Sequence, residues 1–302
     1  MIKIEHLTKK FNSFVALNDI SLHVQQNEIY GFIGHNGAGK STTMNIISGL
    51  SKHYQGTCVV NQKDVSTIIK AGDLNIGFLP ENPQFYPWMS AFEYLMYIDQ
   101  SKDKQKIHQL IEWAGLKEHA QRKIKGYSRG MKQRLGMAVA LINDPELLIF
   151  DEPSSALDPQ GRSEILQMMI DLKKRGKTIM FSTHILSDVE RICDRVGMIA
   201  NGEMVFEKSL QDLLMENIKP ILEFELSKEL HVDHQNMLKN VENVNNLSIK
   251  NNVVEVTLKQ RRPSSNDLLK TLLELGYEVI SFNQKRNSLE SLFIERGNNN
   301  GR

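Results

Sequence analysis

One stretch, residues 28–48, limits what this chain can fold into more than any other. Ile29 to Ile33 is a short apolar run and reads as a buried strand; it breaks at Gly34. Gly34-His35-Asn36-Gly37-Ala38-Gly39-Lys40-Ser41 then fits the pattern G-x-x-x-x-G-K-[ST]. A helix opens at about Gly39 and runs through Thr42 toward Leu50, with Gly49 near its end. Glycines let consecutive backbone N–H groups converge on phosphate oxygens without a Cβ in the way. The helix that follows aims its positive end at the same anion. Lys40 is placed to reach the outer phosphates, and the Ser41 hydroxyl to ligate Mg²⁺. A merely flexible glycine loop would leave Lys40, Ser41 and the preceding strand unexplained.

The 302 residues suit one large domain and a smaller one. A net charge of +1 gives no electrostatic reason to expect a nucleic-acid partner. Cys58 and Cys193 lie far apart, fit no metal spacing and read as reduced core residues. No apolar run approaches the ~20 residues needed to cross a bilayer, and the N-terminus has no signal-peptide pattern. Work at a membrane would have to go through a partner.

Residues 2–24 alternate as two strands with a turn near Asn12 and Ser13. Phe11 is either a strand-end packing residue or a face on which an adenine stacks. Residues 56–60 and 74–79 read as strands. Leu79-Pro80-Glu81-Asn82-Pro83 is polar and irregular, and it leads into Phe85-Tyr86-Pro87-Trp88-Met89. Those aromatics serve either a partner's helix or a satellite core. Residues 90–117 show helical periodicity. Ser128 suits a helix N-cap, so Ser128 and Gly130 open a second helix start able to hold an anion. Two such starts and one nucleotide suggest a dimer in which each copy covers the other's ligand.

Residues 146–152 form a buried strand ending in Asp151 and Glu152, the shape that holds Mg²⁺ and polarises a water. Asp158 with Pro159 opens a helix over 159–175. A strand over 177–181 closes at Ser182-Thr183-His184, which puts His184 where open α/β sheets bind ligands. Residues 195–206 read as a hairpin turning at Asn201-Gly202, and 207–216 as a helix. Beyond Pro220, strands at 221–226, 244–249, 252–258 and 277–283 alternate with helices at 232–239, 264–275 and 288–295. That order suggests a ferredoxin-like unit with an extra terminal helix and a polar tail from Arg296. His231 and His234 have a metal-like spacing, but nothing else converges on them.

Five segments resemble the nucleotide-binding subunit of ATP-binding cassette (ABC) transporters, in family order and spacing: Gly34 to Thr42, Tyr127 to Arg134, Leu147 to Pro153, Ser155 to Asp158, and Ser182 to His184. The resemblance implies an α/β P-loop NTPase core over residues 1–216. It carries an antiparallel β subdomain and a helical subdomain at about 85–142. A small α+β accessory domain follows over 217–302.

The resemblance further implies that Phe11 stacks on adenine. It makes His35, Asn36, Gly37, Ala38, Gly39, Lys40, Ser41 and Thr42 the phosphate cradle. Asp151 and Ser41 become Mg²⁺ ligands, Glu152 the catalytic base, His184 the switch histidine and Asp158 the D-loop residue. Ser128 and Gly130 would contact the γ-phosphate held by a second copy. Two departures stand out. Arg129 and Met131 interrupt the usual Leu-Ser-Gly-Gly-Gln signature, and Glu81 replaces the Q-loop glutamine, still offering an oxygen to Mg²⁺ or water.

Leu79-Pro80-Glu81 and the segment ending Leu292-Phe293 resemble the ABC-2 type exporter branch. The implied protein is an ATPase subunit on the cytoplasmic face of a membrane. It docks a permease near Glu81–Met89 and works as a dimer of like or unlike halves. Two other classes fit less well. Cassette ATPases of translation or repair carry a second cassette or a long coiled-coil insert, and this chain has neither. A regulatory module without turnover would not need Glu152 and His184.

Overall fold

A hairpin, β1 (Ile2–Phe11) and β2 (Phe14–Val24), opens the chain and turns at Asn12, whose φ is 53°. The computed structural model describes residues 1–216, 218–259, 266–286 and 289. They form two compact units, Met1–Leu210 and the described residues from Gln211 onward.

In the first unit, β4 (Gln55–Val60) and the short β5 (Lys63–Asp64) extend the hairpin into an antiparallel sheet of order β2-β1-β4-β5. The central sheet is built from β3 (Ile29–Ile33), β6 (Ile76–Leu79), β7 (Leu147–Phe150), β8 (Thr178–Thr183), β9 (Arg195–Ala200) and β10 (Glu203–Ser209), in the order β10-β9-β3-β8-β7-β6. Strands β9, β3, β8, β7 and β6 are parallel. β3, β7 and β8 are buried along their whole length, which is why β3 and β7 read as apolar runs. Parallel register brings the loops after β3, β6, β7 and β8 to one edge of the sheet, where α/β folds bind ligands.

The sheet is joined by α1 (Lys40–Ile47), α5 (Pro159–Lys174) and α6 (Leu186–Ile192). A helical region holds α2 (Ala91–Ile98), α3 (Lys104–Trp113) and α4 (Arg129–Ala140) around Leu95, Ile107, Ile111, Leu135 and Ala138. The helical stretch expected over 90–117 is broken at residues 99–103. Asp99 is 1% exposed there; it accepts from Ser101 Oγ, Asp103 N and Lys106 Nζ, and Asp103 caps α3. Residues 207–209, expected as helix, continue β10, because Glu207 pairs with Gly197 and its carboxylate takes the Arg195 guanidinium and His23 N. Both cysteines are buried and free, and burial pushes the Cys58 thiol up to about 12.

In the second unit, α7 (Leu210–Glu216) leads into β11 (Ile218–Leu226), α8 (Val232–Lys239), β12 (Val244–Lys250), β13 (Val253–Leu258), α9 (Asn266–Glu274) and β14 (Val279–Arg286). The antiparallel order β12-β13-β11-β14 is the ferredoxin-like arrangement. Tyr277 Oη accepts from His231 N at 2.9 Å and lies 2.9 Å from His234 Nδ1, so the two histidines serve the start of α8. The helix expected at 288–295 and the tail from Arg296 lie outside the described residues, apart from the buried Leu289.

Candidate active site

The loop after β3 is shaped by its own main chain. Ala38 N donates to His35 O at 3.1 Å, and Ala38 O accepts from Gly202 N at 3.0 Å. Gly39 caps α1 at a φ of 112°, and a Cβ there would lie 2.7 Å from Leu17 Cδ2, so only glycine fits. Lys40 is the first residue of α1 and is 5% exposed. Its Nζ donates to Gly34 O at 2.8 Å and His35 O at 3.2 Å, and lies 3.2 Å from Glu152 Oε1.

Glu152 follows β7 with a left-handed backbone, φ 48°, a conformation that costs a non-glycine residue and persists only where the surroundings impose it. Its N–H donates to Ser182 Oγ at 2.9 Å; that hydroxyl donates to Asp151 Oδ1 at 2.5 Å; Asp151 N donates to Leu79 O at 2.8 Å. Strands β6, β7 and β8 are thereby knotted together beneath the two carboxylates. His184 Nδ1 lies 2.9 Å from Glu152 Oε2, and since an ionised carboxylate only accepts, the Nδ1 position carries the proton.

A cavity of about 450 Å³ opens over this cluster. Asn36, Gly37, Gly39, Lys40, Ser41 and Thr42 form one side, and Glu81, Glu152 and His184 the other. His35 and Ala38 contribute main-chain groups to the loop. Asp151 is 5% exposed and sits behind Ser182.

Phe11 is half exposed at the end of β1 and holds Lys9 Nζ 4.8 Å from its ring centroid, whereas Phe14, its cross-strand neighbour, lines the cavity. Phe14, Ala16 and Ser155 complete the wall and were not singled out from the sequence. The Phe11–Phe14 alternation around a two-residue turn could have suggested the second ring. Ser155 is buried one turn after Glu152, its N–H on Glu152 O at 3.2 Å, and among the described residues its hydroxyl has no partner.

Ser128, Gly130 and Asp158 are elsewhere. They line a second cavity of about 450 Å³ with Ala156, Leu157 and Gln160. Ser128 caps α4 by accepting from Met131 N at 3.2 Å, and Asp158 caps α5 by accepting from Gly161 N at 3.1 Å. The α4 and α5 N-termini therefore both border this cavity.

A phosphate loop at the carboxyl edge of a parallel sheet, with paired carboxylates after the neighbouring strands, defines a P-loop nucleotide hydrolase. Residues 17–155 match the ABC transporter family, and residues 209–296 match the C-terminal domain of DrrA1-3-like ATP-binding proteins. The chain is 36% identical over 302 residues to the uncharacterized ABC transporter ATP-binding protein YxlF of Bacillus subtilis (strain 168), spanning 98% of this chain and 99% of that one. It is 35% identical over 219 residues to the linearmycin resistance ATP-binding protein LnrL of the same organism, covering 70% of each. Among solved structures it is similar to the dimeric bacterial ABC transporter cassette MJ0796, with a TM-score of 0.64, 26% identity, and 70% of this chain and 99% of that one covered. The chain belongs to the ABC transporter ATP-binding family, in the branch that carries a DrrA-like C-terminal domain. It is an ATPase subunit that pairs with a second cassette and energises a membrane permease. Among the described residues no helix is long and apolar enough to cross a membrane.

Proposed function

We propose that two copies close head to tail around ATP on the cytoplasmic face of a membrane, and that closure drives an ABC-2 type exporter permease docked near Glu81–Met89. The observation that carries this reading is the separation of the two cavities. Ser128 and Gly130 border a cavity without Lys40, Ser41 or Glu152, so a second copy must bring them to the phosphate. Gly130 adds support. A Cβ there would meet nothing of its own chain nearer than Leu157 Cδ2 at 3.8 Å, so the fold itself does not require glycine in this helix turn. That LnrL is a linearmycin resistance protein supports export.

The residue roles follow from chemistry. Main-chain N–H groups of Gly37 to Ser41 cradle the phosphates, and Lys40 leaves Glu152 to pair with them. Phe11 and Phe14 offer aromatic faces to the base. Glu152 accepts the proton of the attacking water, and His184 turns its Nδ1–H from Glu152 toward the γ-phosphate. Ser41 and Glu81 line this cavity and Asp151 lies behind Ser182; all three are hard oxygen donors, which suits Mg²⁺. When bound there, that ion would offset negative charge on the phosphate oxygens. Asp158 fixes the α5 end of the cavity that receives the partner's nucleotide.

Analytical ultracentrifugation of Glu152→Gln tests the proposal. With saturating MgATP the variant should sediment as a dimer, and with ADP as a monomer. Monomers in both cases, even with the cognate permease present, would end it.

A further inference from the structure

The turn that carries Glu152 is strained. Glu152 and Ala156 both have left-handed backbones, at φ 48° and 53°, and neither is a glycine or an asparagine. Such residues persist only where their surroundings leave no other arrangement. Part of the restraint is internal, since Ser155 N donates to Glu152 O at 3.2 Å. Part comes from β8, where Ser182 Oγ accepts from Glu152 N. The middle of the turn, Ser154, is held by a side chain that the nucleotide cavity does not use.

Ser154 is 1% exposed, and its hydroxyl donates to Asp188 Oδ2 at 2.8 Å. Asp188 lies on α6 and is itself 1% exposed. Its other oxygen, Oδ1, accepts from Arg162 Nε at 2.6 Å, and the same guanidinium donates to Ser187 Oγ. A carboxylate is tolerated at this depth because a cation meets one oxygen and a hydroxyl the other. Arg162 belongs to α5, so the ion pair alone would pin α5 to α6. The bond to Ser154 adds nothing to that helix contact. It pulls on the backbone between Glu152 and Ala156.

The segment after β8 therefore grips the turn after β7 at two points: His184 takes the Glu152 carboxylate, and Asp188 takes the Ser154 hydroxyl. The first grip is on the side chain that does the chemistry. Under the function proposed above, phosphate draws both Lys40 and His184 off that carboxylate, and the main chain of the turn is left to aim it. We infer, on the reading that Glu152 is the base, that Asp188 is its positioning residue. By holding Ser154, Asp188 keeps the strained turn from relaxing once the Lys40 and His184 contacts are released. Loss of this strap acts on turnover and spares nucleotide binding, because neither Ser154 nor Asp188 lines the cavity.

Ser154→Ala tests this, because it cuts the strap and leaves the Asp188–Arg162 pair between the helices. The full-length subunit should lose about tenfold to a hundredfold in kcat, the scale of a slightly misplaced catalytic group, while ATP affinity by calorimetry stays within about twofold. Ser154→Thr keeps the hydroxyl and should restore the parent kcat. Asp188→Ala should lower kcat by a similar factor, and adding Ser154→Ala to it should lower kcat no further, as expected for two ends of one bond. A Ser154→Ala protein that melts earlier but turns over at the parent rate would overturn the inference and leave the bond a packing contact. A loss carried by ATP affinity instead of kcat, or multiplicative losses in the double variant, would overturn it as well. Glu152→Gln separates this from the reading beneath it. If that variant is inactive while Ser154→Ala is not, only the strap fails; if Glu152→Gln turns over normally, the base assignment fails and takes the strap with it.

Discussion

Lys40 Nζ and Glu152 Oε1 lie 3.2 Å apart, and both side chains are more than nine-tenths buried. His184 takes the other carboxylate oxygen at 2.9 Å. Without nucleotide, then, the two groups neutralise each other. Under the roles proposed above, a phosphate that draws Lys40 away would free a carboxylate oxygen of Glu152 for water.

This pairing makes Lys40→Ala costly beyond its loss of ATP affinity. Removing one partner of a buried ion pair leaves the other uncompensated, at a cost on the order of 3 kcal/mol. Denaturant unfolding of the nucleotide-free protein should show that loss, and Lys40→Ala combined with Glu152→Gln should recover most of it. Additive losses would mean that the two residues do not interact.

Gly130→Ala should separate stability from activity. Alanine is a better helix former by up to about 1 kcal/mol, and the chain has room for the Cβ. The isolated subunit should melt at an equal or higher temperature while its ATPase activity falls, if the methyl group intrudes where the proposal seats the second copy's nucleotide. Full activity in the variant would argue against that contact.

Phe14→Ala should weaken ATP binding about tenfold in calorimetry, in line with ~1–3 kcal/mol for an aromatic stacked on a base. Affinity for inorganic tripolyphosphate should not change. Phe11→Ala should act in the same direction, and the double variant should lose less than the sum, since the rings are cross-strand neighbours.

Acid should loosen the helical region first. The Lys106 ammonium, the Ser101 hydroxyl and the Asp103 N–H hold the Asp99 carboxyl well below its ordinary value of 3.8. A carboxyl depressed on folding stabilises the protein above its unfolded value, and that stability drains away as pH falls further. Asp99→Asn should therefore melt earlier than the parent at pH 7, and the gap should narrow below about pH 4. A gap that is constant with pH would rule out titration of Asp99 as the cause.

Much of the site could be read from sequence because its chemistry is local. The phosphate loop, the Asp151–Glu152 pair and the Ser128 cap each need only a few consecutive residues of the right type. What escaped depends on contacts made at a distance. Phe14 joins the cavity only through packing. The break in the helical stretch is set by Asp99 reaching Ser101, Asp103 and Lys106, which helical periodicity does not register. Glu207 stays in a strand because Arg195 and His23 claim it, against its local helical preference. The ferredoxin-like order was visible because each strand and helix of that unit carries its own pattern.

Gln133 of α4 is tied to the main-chain carbonyl of Glu81, not to its carboxylate. Whatever residue occupies position 81, the backbone handle remains in place. The acid at position 81 can therefore set the charge beside the cavity without loosening the link between α4 and this loop.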